Sequence, residues 1–235
     1  MKQAYTDFED LEVKDYKEVW DYQEKLFSEV VDVKLYNREN AEALKEITNH
    51  LIFVEHPHVY TLGKSGVQNN LLINDQFLKQ INATFYKINR GGDITYHGPG
   101  QIVGYPIFDL EIMDLTVKTY IHNLEEAIIQ TLADYGVTSE RLDGSTGVWI
   151  DTDVPGKTRK ICAIGVKASR YVSMHGFALN VNTDLNYFNH INPCGFVDKG
   201  VTSLEKELGR KVDMAEIKSI LLDKLVSVFN LQLNK

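Results

Sequence analysis

Three apolar faces at helical spacing stand near the start, the middle and the end of the chain, and the other apolar residues fall into short extended runs. That pattern restricts the fold more than any other feature. Tyr16, Val19, Trp20, Gln23, Leu26, Phe27, Val30 and Val31 recur at intervals of three and four, predicting a helix over 16–31 whose stripe is apolar apart from Gln23. Val117, Ile121, Leu124, Ile128 and Leu132 predict a second helix over about 116–135, with Gly136 placed to stop it. Ile217, Ile220, Leu221, Leu225 and Val228 form the third face. Between these lie HLIFVEH (50–56), VYTLG (59–63), ATFYKI (83–88), QIVGYPIFDL (101–110), GVWI (147–150), KICAIGVK (160–167) and MHGFALNV (174–181). Each is short and bounded by turn-forming residues, as strands are. Pro106 has no N–H to give to a ladder and points to an edge strand or a strand end. Consecutive strands with helices outside them predict an α/β fold of the α+β type, a mixed or antiparallel sheet flanked by helices.

With 235 residues the chain can bury most of the surface its unfolded form exposes, and residues 1–235 are read as one domain. A formal charge of −8 gives no footprint for nucleic acid. An acidic protein partner would be repelled unless a local basic patch met it. Lys157, Arg159, Lys160, Lys167 and Arg170 are the densest candidate, their other reading being a solvated loop and strand face. The opening residues lack the apolar run of a signal peptide, and no stretch has the length to cross a bilayer, so a cytoplasmic protein with no membrane partner is expected. In that reducing compartment Cys162 and Cys194 are poor disulfide partners, and each is either a buried hydrophobe or a reactive thiol.

Chemistry concentrates in three segments. RGGDITYHGPGQ (90–101) places four glycines in twelve positions, which lets backbone approach a ligand and present N–H groups, although glycine-rich turns also build plain hairpins. Its spacing is neither a Walker loop nor a dinucleotide fingerprint. Cys194 lies between Pro193 and Gly195 in a stretch without strand or helix periodicity, where a thiol is more exposed than inside a strand. Lys160 opens an apolar strand, either snorkelling to solvent or placed to act. Cys162, two residues on, suits a packed strand position; if the strand alternates it shares a face with Lys160, which leaves it a minor rival nucleophile.

EHPHVYTLG (55–63), RGGDITYHGPGQIVGYPI (90–107), GVWI, KICAIGVK, HGFALNV (175–181) and INPCG (191–195) occur in an order that resembles the lipoyl (octanoyl) transferase family. These enzymes are octanoyl-[acyl-carrier-protein]:protein N-octanoyltransferases. The resemblance implies a fold shared with lipoate and biotin protein ligases, around an acyl-binding pocket. By position it makes Cys194 the acyl-accepting nucleophile and Lys160 its partner. It makes Arg90, Gly91, Gly92, Asp93, Ile94, Thr95, Tyr96 and His97, then Ala163, Ile164 and Gly165, then Gly176, Phe177 and Ala178, the substrate-contacting residues. No metal or cofactor is implied. The implied donor is octanoyl acyl-carrier protein. The implied acceptors are lipoyl domains of 2-oxoacid dehydrogenases and the glycine cleavage H protein, and a monomer is the default.

Cysteine suits this reaction because exchange between thioesters is close to energy-neutral and needs no ATP. A free thiol of pKa near 8.5 is ~3% thiolate at pH 7, and lowering it to ~6.5 beside a lysine ammonium raises that roughly 25-fold. The acceptor lysine must in turn lose a proton, and Lys160, left neutral after acylation, is the expected base. An octanoyl tail has about seven alkyl carbons, worth ~5 kcal/mol when buried. Leu62, Ile102, Ile164, Phe177 and Leu179 are candidate walls, and core packing explains them equally well. The rival readings are an ATP-dependent lipoate or biotin protein ligase on the same fold, which needs no nucleophilic cysteine, and a non-catalytic acyl-binding protein.

Overall fold

The structure is a computed structural model that describes residues 4–192 and 199–234. In chain order its elements are β1 (Ala4–Val13), α1 (Tyr16–Glu39), β2 (Asn49–Glu55), β3 (Val59–Leu62), α2 (Asp75–Gln80), β4 (Thr84–Lys87), β5 (Ile94–His97), β6 (Gln101–Ile107) and α3 (Val117–Asp134). There follow β7 (Glu140–Leu142), β8 (Ser145–Ile150), β9 (Arg159–Ser169), β10 (Val172–Asn180), β11 (Gly200–Val201), α4 (Leu204–Leu208), α5 (Met214–Phe229) and β12 (Leu231–Leu233). Among the described residues nine strands form one sheet, ordered β12-β1-β2-β6-β10-β9-β8-β7 with β11 paired to β9. β1 runs parallel to both neighbours, the pairs from β2 to β7 are antiparallel, and β11 is parallel to β9. A second sheet has the order β4-β3-β5. This is the mixed sheet with flanking helices that the pattern predicts.

The central strands are apolar on both faces because both faces are covered. Leu51, Phe53, Ile102, Phe177 and Leu179 point to one side, where Tyr120, Leu124 and Ile128 of α3 meet Ile217, Leu221 and Leu225 of α5. Their neighbours Ile52, Val54, Val103, Tyr105 and Ala178 point the other way, against Val19, Leu26, Val30 and Val31 of α1. The two-residue period thus divides one sheet between two cores. Among the described residues no helix is long and apolar enough to cross a membrane.

Several elements depart from expectation. α1 continues eight residues past Val31, to Glu39, because the next inward side chain is a lysine rather than a hydrophobe. Lys34 is buried, and its ammonium lies 2.6 Å from both Asp109 Oδ1 and Glu111 Oε2. β1 is not visible in the hydrophobic pattern: it carries Asp7, Glu9, Asp10 and Glu12, and it is held by ladders to β2 and β12. Pro106 is not on an edge; it lies near the end of β6, a central strand. The ladder to β10 stops at Gly104, two residues before the proline.

Asp109 is fully buried, so removing its cation strands a charge. Lys34→Met is expected to cost about 3 to 5 kcal/mol in urea unfolding. Adding Asp109→Asn should recover part of it, whereas equal losses in the single and double variants would show that the charge pair is not the cause.

Candidate active site

A cavity of about 900 Å³ opens where the 90–97 segment, the β9–β10 hairpin, the β7–β8 turn and the first turns of α3 converge. Of the expected contact residues, Arg90, Gly91, Gly92, Asp93, Ile94, Thr95 and His97 line it, as do Ala163, Ile164, Gly165, Gly176, Phe177 and Ala178, and so does Lys160. Tyr96 does not. Thr95 and His97 face the cavity, whereas Tyr96 packs with Tyr60 and Leu78 in the core of the small sheet, whose members Ile94 and Ile191 reach the cavity edge. The Tyr96 hydroxyl is bonded there to His58 Nδ1 at 2.7 Å. Of the candidate walls, Ile164 and Phe177 line the cavity; Leu62, Ile102 and Leu179 are buried in the cores instead. Cys194 lies outside the described residues, and the two residues that bracket its segment, Asn192 and Lys199, both line the cavity.

The glycine-rich turn is docked by backbone. Gly91 N–H donates to Val166 O of β9 at 2.9 Å, and a Cβ on Gly165 would stand 3.0 Å from Gly91 O, so the two chains meet without side chains between them. The turn is closed by its own charged residues. The Arg90 guanidinium donates to Thr61 O at 2.6 Å and Gly91 O at 3.0 Å, and the Asp93 carboxylate accepts from Ile94 N–H at 2.7 Å and Asn70 Nδ2 at 2.6 Å.

Lys160 and Cys162 do not share a face. Val148 pairs with Cys162 but Trp149 pairs with Lys160, so β9 carries an extra residue, a β-bulge, at Ile161. Paired residues project to the same side. Lys160 therefore follows Trp149 into the cavity, its Nζ 4.4 Å from the ring centroid and 3.2 Å from Thr146 O, while Cys162 follows Val148 into the main core. There the Cys162 thiol is fully buried and its pKa is pushed far up by loss of hydration. It is no rival nucleophile. Nor is 157–170 one basic patch: Arg159 is paired with Asp151 and Glu207, Lys160 faces the cavity, and Lys167 meets Glu24 and the Phe27 ring.

Three buried histidines cluster here, His97 and His175 on the cavity lining and His56 behind His97; of the three only His97 is an expected contact residue. Burial pulls the pKa of His97 down to about 3, aided by His56, Arg90 and His175 nearby, while the Gln101 hydrogen bond opposes the shift. Burial also lowers His175 to about 3 and His56 to about 4. Gln101 Nε2 donates to Tyr96 O and Asn180 Oδ1, which leaves its Oε1 to accept at 2.9 Å from His97 Nδ1–H. The His97 Nε2 lone pair is thereby left as an acceptor. His56 Nδ1–H donates to Lys14 O, so its Nε2 accepts from the Tyr105 hydroxyl at 2.8 Å. Tyr16, Gln101, Tyr105, Trp149, His175 and Asn180 also line the cavity. All but Tyr16 lie within the family motifs, yet only the fold shows that their side chains reach the cavity.

A sequence profile described as Lipoyl protein ligase A/B catalytic domain matches residues 15–226. The octanoyltransferase of Christiangramia forsetii is 58% identical over 224 residues, covering 95% of each chain. That of Flavobacterium johnsoniae is 57% identical over 226 residues, covering 96% of this chain and 97% of its own. Among solved structures, the bi-partite lipoate protein ligase of Thermoplasma acidophilum superposes with a TM-score of 0.71 at 13% identity, over 99% of this chain and 87% of that one. That likeness speaks for the fold.

The neutral histidines make stability acid-sensitive. Each has a folded pKa below its unfolded value of about 6.5, so the stability it contributes is present above that pH and is lost as pH falls toward 3 or 4. Near pH 5 the three together should give a slope of about 4 kcal/mol per pH unit. In urea unfolding across pH, His97→Gln is expected to lower the slope by about a third. An unaltered slope would mean His97 is not held neutral.

Proposed function

The chain belongs to the lipoyl protein ligase A/B catalytic domain family, and from that membership we propose that it transfers octanoyl groups from acyl-carrier protein to the lysine of lipoyl domains, through a thioester on Cys194. The acceptors are the lipoyl domains of 2-oxoacid dehydrogenases and the glycine cleavage H protein, and the chain acts as a single-domain monomer in the cytoplasm.

The observation that carries this reading is the placing of Lys160: a bulge turns one amine into a cavity whose other walls are the glycine-rich turn and the apolar side chains Val103, Ile121, Ile164 and Phe177. Asn192 and Lys199 bracket the Cys194 segment at that same cavity. Cys194 as thiolate attacks the carrier thioester, forming its own C–S bond as the carrier's C–S bond breaks and the carrier thiolate leaves, taking a proton from Lys160. Lys160, an ammonium beside the thiolate, supplies the counter-charge for that step. Once the thiol is acylated, neutral Lys160 takes the proton that the acceptor amine loses as its nitrogen attacks the acyl carbon. The amide forms and Cys194 leaves as thiolate beside the Lys160 ammonium, which restores the starting pair. Every step exchanges or consumes a thioester, so no adenylate is required.

Intact-protein mass spectrometry after mixing with octanoyl carrier protein is expected to show a hydroxylamine-labile octanoyl adduct on wild type and Cys162→Ser but none on Cys194→Ser. An adduct that follows Cys162, or turnover of free octanoate with Mg-ATP, would overturn the assignment. Transfer from preformed acyl-enzyme should slow in Lys160→Ala, and an unchanged rate would remove the lysine from the second step.

A further inference from the structure

The face of α3 that brings Val117 and Ile121 to the cavity continues, one turn further along, to Glu125, because residues four apart stack on one side of a helix. Glu125 is a carboxylate only 7% exposed, a position that acids avoid unless they are held there. Two donors hold it: Arg141 Nε reaches Oε2 at 3.2 Å and the backbone N–H of Gly147 reaches Oε1 at 3.0 Å. The second contact matters for Lys160. The peptide that donates through Gly147 is the one whose carbonyl belongs to Thr146, and that carbonyl accepts from Lys160 Nζ at 3.2 Å. One planar peptide unit therefore has Glu125 at its N–H end and Lys160 at its C=O end.

The surroundings leave this unit little freedom. Gly147 stands at φ +122, and a Cβ there would lie 2.5 Å from Cys162 O and 3.4 Å from Lys160 Cε. The ring beneath the ammonium is tied to the same turn, since Trp149 Nε1–H donates to Ser145 O at 2.9 Å.

We propose that Glu125 is a positioning residue for Lys160: its carboxylate fixes the Thr146–Gly147 peptide, and that peptide fixes where the lysine nitrogen sits. The proposal rests on the reading of Lys160 as the partner of Cys194. What Glu125 transmits is reach: the Gly147 contact is set by where its Oε1 sits, while the Arg141 cation is shared between Glu125 and Glu126. The other charged groups of the cavity lining are Arg90, Asp93, Lys199 and Lys206, and Arg159, next to Lys160 in the chain, is paired with Asp151 and Glu207.

The test compares full-length wild type, Glu125→Asp, Glu125→Gln and Lys160→Ala in single-turnover acylation by octanoyl carrier protein and transfer to a lipoyl domain, across the neutral pH range, with melting temperatures beside them. Asp keeps the charge but falls a methylene short of Gly147 N–H, whereas Gln keeps the reach and loses the charge. Glu125→Asp is expected to slow both steps about tenfold or more. It should also move the rising limb of the acylation profile to higher pH, as the ammonium leaves the thiol. Glu125→Gln should stay within about threefold of wild type with its limb in place. The limb's position is independent of how much protein is folded, so a variant that is merely less stable leaves it unmoved. Wild-type behaviour in Glu125→Asp, impairment confined to Glu125→Gln, or slower rates with an unmoved limb would each overturn the proposal. Wild-type behaviour in Lys160→Ala would instead sink the underlying reading of the lysine, and the role of Glu125 with it.

Discussion

Gly91 N–H and Val166 O, 2.9 Å apart, fasten the three-stranded sheet to the nine-stranded one. A second contact, Asn192 N–H to Asn70 O at 2.8 Å with the Leu71–Ile191 bridge beside it, ties the segment that follows β10 to the small sheet's core. The cavity is the space between the two sheets. Because the first junction is backbone to backbone, it tolerates no side chain on Gly165, and the glycines of this region serve the closing of the turn onto β9. Arg90 and Asp93, which as isolated letters read as ligand contacts, are also spent on the turn itself, bonded to Thr61, Gly91, Ile94 and Asn70.

The fold was legible where burial leaves a periodic trace. Strands covered on both faces, such as β2, β6 and β10, are apolar throughout, and α3 shows its stripe from Val117 to Leu132. Legibility failed where another interaction replaced hydrophobic burial. β1 is held by ladders and is rich in acids, and α1 runs on past Val31 because Lys34 is buried on carboxylates rather than on carbon. At the cavity the motif residues were readable as a set, but which of them face inward was not. Tyr96 belongs to the run RGGDITYH, yet its ring packs into the core of the small sheet and stays off the cavity lining. The histidine cluster was unreadable for a related reason: His56 follows β2 and His175 lies in β10, and only the fold brings them near His97.

Charge shows the same separation between composition and placement. The chain carries −8 overall, yet among the described residues the cavity lining includes Arg90, Lys160, Lys199 and Lys206 against the single acid Asp93. The cationic run 157–170, which composition singles out, is dispersed over separate surfaces and partly cancelled by its own ion pairs. Positive potential is thus gathered in a concave, low-dielectric place, where it acts more strongly than the same charges spread over an exposed strand.

The bulge at Ile161 settles a choice that regular pairing would leave open. In an unbroken strand Lys160 and Cys162 would project to one side, and the thiol would stand in the cavity beside the lysine. The extra residue separates them: the amine is directed over the Trp149 ring and the thiol into the core, where loss of hydration holds it protonated. The geometry also explains why a lysine is stable there. Its stem follows the strand, its ammonium has the ring face and the Thr146 carbonyl, and it stays within reach of the cavity's water. A one-residue irregularity in β9 therefore determines which of two neighbouring side chains faces the cavity, and it does so through backbone register, without a change of residue at either position.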